Sequence, residues 1–204
     1  MKRVLFLLIS LVIILFLDSA ASYAGWLIYH KPEFKGKVID AGTKEPIEGV
    51  VVVAIYKKHT LISGPGGGGT SIVKIRETLT DDKGEFHIPS YTTIIQPNSI
   101  EDRVECIIYK PGYGSYPGLQ INPPMPADPE DFFSGESGRP GTVRIDNKTF
   151  KYLTGIIELP KVTTREERLR AMPATPTDYR SKELPLLFKA INEENKRLGL
   201  GEEK

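Results

Sequence analysis

His30 and Glu33 have the spacing that comes closest to a metal-binding pattern in this sequence. The segment His30-x-x-Glu33 offers one imidazole and one carboxylate on a short stretch of chain. A catalytic zinc ion needs a third protein ligand held on a rigid frame, and the only other histidines are His59 and His87. Because these two lie in separate segments, we predict no metal site and no cofactor.

Three further features carry weak signals of catalysis. Residues 64–71 read Gly-x-x-x-x-Gly-Thr-Ser, without the lysine of a phosphate-binding loop, and a strand pattern rather than a helix follows them. Glu77 falls on the apolar parity of a predicted strand, which indicates a carboxylate at the end of a strand, on the rim of the sheet. Cys106 alternates with Val104 and Ile108, which is typical of a buried, unreactive thiol. We predict no catalytic residue and no enzymatic activity.

A group of aromatic side chains near one loop gives the best candidates for ligand contact. Aromatic rings beside proline and glycine stack on sugars or clasp peptides, so the region 109–133 is one possible carbohydrate- or peptide-binding loop. The alternative is that Tyr113 closes one end of a core and that the phenylalanines anchor the loop. The five candidates are Tyr109, Tyr113, Tyr116, Phe132 and Phe133.

The charge balance restricts the classes of partner. The chain has 27 basic and 26 acidic residues, a formal net charge of +1, and no basic block or stripe. Nucleic acid and anionic membrane are therefore not expected partners on electrostatic grounds. Cys106 is the only cysteine, so an exported form closes no internal disulfide and depends on its core for stability.

The first 24 residues have the three-part pattern of a secretory signal. A basic start precedes the apolar run Val4–Leu17, and small residues at Ser22 and Ala24 suit a signal peptidase. The run would span about 21 Å as a helix, short of a hydrocarbon core of about 30 Å. We therefore favour cleavage over a retained anchor, with export to the periplasm or the extracellular space and no stable membrane anchor afterwards.

Strand-like periodicity extends from Phe34 to Leu159. The run Val50–Ile55 is apolar on both parities, which predicts a central strand covered on both faces. The turn Asp81–Gly84 predicts a tight hairpin, and residues 114–141 form a long irregular loop rich in proline. The other predicted strands contain Phe34 and Val38, Val73 to Leu79, Phe86 and Ile88, Val104 to Ile108, and Phe150 to Leu159.

The C-terminal region changes to a helical pattern. Thr163 and Thr164 precede Glu166 and Glu167 at capping-box spacing, which predicts a short helix that stops before Pro173. A second helix is predicted from Ser181 to Gly199, with a break in its apolar stripe at Glu194 and Asn195 that limits burial to three turns. The stripe packs either on the chain's own sheets or on another protein. Its candidate contact residues are Leu184, Leu187, Phe188 and Ile191.

The order of the turns resembles one known family. The segments Gly36–Asp40, Pro46–Val50, Thr80–Phe86 and Lys110–Tyr113 resemble the carboxypeptidase regulatory-like domain, which is related to Cna B-type domains. The resemblance covers Phe34 to Tyr113 and implies a transthyretin-like (prealbumin-like) Greek-key β-sandwich of about seven strands. It also implies an accessory, non-catalytic role, since fold alone does not specify function.

These observations predict a domain organisation and a class of function. We expect a signal peptide at 1–24, a β-sandwich at 25–160 and a helical extension at 161–204. The expected function is an exported, non-catalytic module for protein interaction or structural support in the cell envelope. The alternative is a carbohydrate- or peptide-binding module, so the expected partner is another envelope protein or a glycan.

Overall fold

The computed structural model describes residues 27–61, 68–118, 125–126, 128–133, 136–174 and 183–202. Within these ranges the chain is mainly β, with several sheets and three helices. Three predicted features fall wholly or partly outside the described residues: the signal peptide, residues 64–67 of the glycine-rich segment 64–71, and the helix start at Ser181.

Eleven strands and three short to medium helices make up the described regular structure. The strands are β1 (Ile28–Lys31), β2 (Phe34–Asp40), β3 (Val51–Thr60), β4 (Gly69–Leu79), β5 (Glu85–Ile88), β6 (Tyr91–Ile94), β7 (Ser99–Glu101), β8 (Glu105–Tyr109), β9 (Pro140–Ile145), β10 (Lys148–Leu153) and β11 (Ile156–Leu159). The helices are α1 (Pro129–Phe133), α2 (Arg165–Ala171) and α3 (Pro185–Leu198).

The two larger sheets are built around β3 and β2. Strand β3 pairs with β4 along one edge and with β8 and then β7 along the other, all antiparallel. Strand β2 pairs antiparallel with β5 and parallel with β11. Two smaller antiparallel pairs, β1 with β6 and β9 with β10, complete the sheets.

The predicted central strand is confirmed. Its side chains alternate between two cores, as the pleat of a strand requires. Val52, Ala54 and Tyr56 point into a first core, which also takes side chains from β2, β5 and β11. Val51 and Val53 point into a second core beneath α3. Because each face of β3 is covered by a different layer, the residues of both parities are buried and have to be apolar.

The predicted hairpin at Asp81–Gly84 is wrong, although the turn itself is present. Gly84 has a φ of 73°, and the Asp81 carboxylate accepts the N–H groups of Lys83 and Glu85 at 3.0 and 2.8 Å. Strands β4 and β5, however, belong to different sheets. The turn carries the chain from one sheet to the other because Phe86 must reach the first core from the side of β2.

The predicted final strand, Phe150 to Leu159, is two strands. β10 ends at Leu153, and the chain turns at Thr154 and Gly155, where Gly155 has a φ of 70°. β11 then runs parallel to β2, whereas β10 pairs only with β9 in the described part. The described chain therefore has more than the seven strands expected.

The loop predicted at 114–141 is not irregular throughout. It contains α1 and the start of β9, while residues 119–124, 127 and 134–135 lie outside the described ranges. Phe132 and Phe133 of α1 are buried in the first core. Two adjacent phenylalanines give an isolated helical turn enough apolar contact to stay docked.

The two C-terminal helices are close to those predicted. Before α2, Thr164 and Glu167 form the complete capping box, and the helix ends before Pro173. In α3, Pro185 occupies the first turn and Gly199 closes the helix in the left-handed conformation. None of the helices in the described ranges is long and apolar enough to cross a membrane.

The expected end of burial at Glu194 and Asn195 is wrong. These residues are only 1% and 3% exposed. The reason is an ion pair between the two helices, in which Arg168 Nη1 of α2 lies 2.8 Å from Glu194 Oε1 of α3. Pairing allows a carboxylate to lie beneath α2, where an unpaired charge would be too costly. Burial in α3 therefore extends to Asn195, and only the last turn, which begins at Lys196, is exposed or partly exposed.

Candidate functional site

The aromatic residues predicted to contact a ligand lie mainly in the two cores. Tyr109 is buried beneath α3, and Phe132 and Phe133 are buried between the sheets. Phe132 and Phe133 meet edge to face with ring centroids 4.9 Å apart. Tyr113 and Tyr116 are only partly buried and pack on the first core. These positions agree with the interpretation in which the rings close and anchor the core, and not with the other one, in which they form an open ligand-binding surface.

The apolar stripe of α3 also packs inside the chain. All four predicted contact residues are buried in the second core, against Val51, Val53 and Ile55 of β3 and against β8. Of the two alternatives that the sequence left open, the structure shows the first, in which the stripe packs on the protein's own sheet rather than on a partner. The four residues are Leu184, Leu187, Phe188 and Ile191.

A cleft lies over the outer face of the sheet β11-β2-β5 and is the best candidate site. Its volume is about 760 Å³. Lys35 and Lys37 of β2 face outward there because Phe34 and Val38 face the first core. The cross-strand partners of these lysines also line it: His87 lies opposite Lys35, and Glu85 and Ile156 lie on either side of Lys37.

The cleft carries charges of both signs. Glu33 accepts a hydrogen bond from Lys35 Nζ at 2.6 Å, and its other oxygen lies 3.0 Å from His87 Nε2. Hydrogen bonding from Lys35, and then from His87, holds the pKa of Glu33 below its usual value. Within the described part of the chain Lys37 forms no ion pair, so it is available to an incoming carboxylate. The cleft is suited to binding a polar, charged surface.

The edge of β5, beside the cleft, is closed to strand addition. Glu85 donates its N–H to the Asp81 carboxylate and accepts the Asp81 N–H at 2.9 Å. Pro89 follows the strand, and its carbonyl accepts from Arg76 Nη1 at 3.1 Å. One end of this edge is already hydrogen-bonded, and the other is followed by proline, so a strand of another protein is not expected to pair with it. A partner would therefore bind to the face of the sheet.

The metal pattern seen in the sequence does not come together in space. His30 Nδ1 lies 2.7 Å from Thr92 Oγ1, whereas Glu33 contacts Lys35 and His87. No group of three or more His, Cys, Asp or Glu side chains placed to hold a metal ion occurs in the ranges that the structure describes. Cys106 is buried, and burial raises the pKa of its thiol to about 12.

Glu77 has a structural role that sequence reasoning missed. It faces α3 from β4, and its two carboxylate oxygens accept the N–H groups of Leu186 and Leu187 at 3.0 and 2.9 Å. Leu184 at the start of the helix has no side chain able to cap it. Burial raises the pKa of Glu77, while the two hydrogen bonds oppose the rise. The only sequence signal was a carboxylate on an apolar parity.

Replacing Glu77 tests this cap. Glu77→Ala should lower the free energy of unfolding by about 1–3 kcal/mol, because two N–H groups at a partly buried helix end lose their acceptor. Glu77→Gln, which keeps one acceptor oxygen, should lose less, as measured by urea unfolding. The pKa of Glu77 is raised in the folded state, so the folded protein holds this proton to a higher pH than the unfolded chain does. The difference in the free energy of unfolding between the wild type and Glu77→Gln should therefore shift against the wild type as the pH rises through and above the ordinary value of 4.5. An opposite slope would contradict the assignment.

Lys31 is a second buried group that the sequence did not indicate. Its Nζ lies 2.6 Å from Glu130 Oε1 of α1 and 3.4 Å from Glu101 Oε2 of β7. Desolvation lowers the pKa of Lys31, but the carboxylates of Glu130 and Glu101 outweigh it and the pKa is raised. The lysine thus fixes α1 to the strand pair β1 and β6.

Comparison with known proteins finds no relative of this chain. No protein-family model matches the chain, and no curated protein or solved structure matches it significantly. The interpretation of the cleft therefore depends on its own geometry and charges.

Proposed function

We propose that the protein is an exported, non-catalytic β-sandwich module of the transthyretin-like Greek-key type that binds another envelope protein. The binding surface is the cleft over β11, β2 and β5. Export is supported by the N-terminal signal pattern. The family resemblance at Gly36–Asp40 and Thr80–Phe86 supports an accessory role.

The observation that carries this proposal is the paired-charge lining of the cleft. Most of its charged residues stand on β2 and β5 or directly before β2, and Asp81 lies in the turn before β5, so the backbone that carries these charges is already in place before binding. Opposite charges at fixed positions select a partner by charge complementarity. Glu33 and Lys35 already neutralise each other, whereas Lys37, which has no ion-pair partner among the described residues, can pair across an interface.

A protein partner fits the cleft better than a glycan. Sugar binding relies on exposed aromatic faces, and the two phenylalanines that reach the cleft, Phe86 and Phe133, are almost fully buried. The remaining lining is mostly charged or polar. A folded protein surface with acidic and basic groups matches this lining.

Site-specific photo-crosslinking in the native host tests the proposal. A photoreactive residue at position 37 should give one discrete adduct in the cell envelope fraction. The same residue in place of Lys151, exposed on β10, serves as the control and should give none. Equal adducts at both positions, or the protein in the cytoplasmic fraction, would contradict the proposed function.

Charge reversal in the cleft should weaken the same contact. Lys35→Glu with Lys37→Glu places like charges across the interface, so we expect adduct formation from a photoreactive residue at Ile156 to fall about tenfold. Lys148→Glu with Lys151→Glu, at two exposed positions of β10, is the matched control and should leave adduct formation unchanged. Melting temperatures of both variants check that the fold is retained.

A further inference from the structure

Strand β8 lies at an edge of the sheet built around β3. On one side it pairs with β3, and on the other side only Ile108 has a strand partner in the described chain. Ile108 donates its N–H to the Tyr116 carbonyl at 2.7 Å and accepts the Tyr116 N–H at 2.9 Å. Because the backbone groups of a strand point to alternate sides, those of Cys106 also point away from β3. We call the outer side of residues 103–107 the β8 edge.

The chain's own pairing with this edge ends after one residue. In an antiparallel ladder, Gly118 would be the next residue to pair, and it would face Cys106. Gly118 instead lies against the end of α2, where a β-carbon on it would lie 3.6 Å from the carbonyl oxygens of Arg170 and Ala171. No hydrogen bond joins Gly118 to Cys106. Among the described residues, the N–H and carbonyl of Cys106 therefore lack the partners that Tyr116 gives to Ile108.

A cavity of about 300 Å³ lies along the β8 edge and shares no lining residue with the cleft. Val104 and Cys106 direct their side chains into the first core, so they line the cavity with their backbone. Cys106 is 3% exposed, which means that its backbone is reached only through this cavity. Pro129 and Ala174 add apolar lining. A helix, about 10 Å across, is too wide for such a volume, whereas a few residues of extended chain fit it.

Two charged residues lie at the end of the β8 edge that is farther from Tyr116. Glu105 forms an ion pair with Lys57 of β3. Arg103 is exposed and forms no ion pair with a described residue. An acidic group on an incoming chain would therefore pair with Arg103 and fix the direction in which that chain lies.

We propose that the β8 edge binds an extended peptide segment of another protein, added as an antiparallel strand beside Cys106. Backbone hydrogen bonds supply affinity in this mode of recognition. The added strand continues the line of Tyr116, which is itself antiparallel to β8, and so runs towards Arg103. An acidic residue of the peptide lies opposite Arg103. This second site goes beyond the function proposed for the cleft and does not depend on it.

A synthetic peptide tests the proposal through the alternation of its N–H groups. The probe is fluorescein-labelled Thr-Val-Thr-Val-Glu with an amidated C-terminus, and its fluorescence anisotropy is measured as the full chain is added. We expect a Kd of about 100 µM or tighter. In the proposed register the first valine lies opposite Cys106 and the glutamate opposite Arg103.

Methyl groups on the peptide backbone distinguish strand addition from other binding. N-methylation of the first valine removes the N–H that the Cys106 carbonyl accepts, and it should weaken binding about tenfold. N-methylation of the second threonine, whose N–H points away from the edge, is the matched control and should change the Kd little. Equal effects of the two methyl groups would overturn the proposal, as would no binding at a chain concentration of about 1 mM.

Charge variants locate the bound peptide. Arg103→Glu should weaken binding of the probe about fivefold or more, and it should strengthen binding of the same peptide ending in lysine. Arg165→Glu, exposed at the start of α2, should leave both affinities unchanged. Lys35→Glu with Lys37→Glu should also leave them unchanged, and a loss of binding in that variant would place the peptide in the cleft and overturn the proposal. The methylated peptides decide the question in the unsubstituted chain if a variant does not fold.

Discussion

Val52→Asp is expected to prevent folding. Val52 is 0% exposed and points into the first core from the central strand β3, with strands paired on both sides of it. Burying a carboxylate there without a partner costs several kcal/mol, against a total stability of about 5–15 kcal/mol for a domain. Circular dichroism should show no cooperative thermal transition.

A control on the neighbouring strand makes this result specific. Ser71 is exposed on β4, so Ser71→Asp adds the same charge to the same sheet without burying it and should melt close to the wild-type temperature. If Val52→Asp melted cooperatively at an unchanged temperature, the assignment of β3 as a strand buried on both faces would be wrong.

Truncation after Pro173 is expected to remove most of the stability. It deletes α3 and with it Leu184, Leu187, Phe188 and Ile191, which cover the outer face of β3. Each large side chain contributes about 1.5–3 kcal/mol when fully buried, and the four together approach the whole stability of a domain. The truncated chain should be unfolded or aggregated at room temperature.

Truncation after Gly199 is the matched control. It keeps α3 and Gly199 and loses only the hydrogen bond from Leu200 N–H to the Asn195 carbonyl, so it should leave the melting temperature within a few degrees of wild type. If the chain truncated after Pro173 melted at the wild-type temperature, α3 would not belong to the core. The truncation after Pro173 also removes Leu186 and Leu187, whose N–H groups bond the Glu77 carboxylate. Replacing Glu77 in the truncated chain should therefore have no further effect through this cap.

The parts of the fold that could be predicted are those in which one local pattern dominates. A valine-rich run that is apolar on both parities fits few structures other than a central strand, and this pattern predicts the central strand at Val50–Ile55. The capping box at Thr164 and Glu167 and the terminal Gly199 are equally local, because each pattern satisfies backbone groups within a few residues.

The parts that could not be predicted depend on partners distant in sequence. Strand β1 is four residues long, and its buried Lys31 makes sense only once Glu130 lies beside it. Glu194 was expected in solvent because its partner Arg168 lies on another helix. The cleft has the same origin, since Lys37, Glu85 and Ile156 come together only through the pairing of β2 with β5 and β11.

The cap that Glu77 provides for α3 constrains the order in which the protein acquires its structure. The acceptor lies more than a hundred residues before the donors it serves, and contacts between such distant segments form late. During synthesis, which proceeds from the N-terminus, Val51, Val53 and Ile55 emerge long before the helix that covers them. Until α3 has emerged, the nascent chain therefore exposes an apolar valine and isoleucine surface, which we expect holding chaperones to bind.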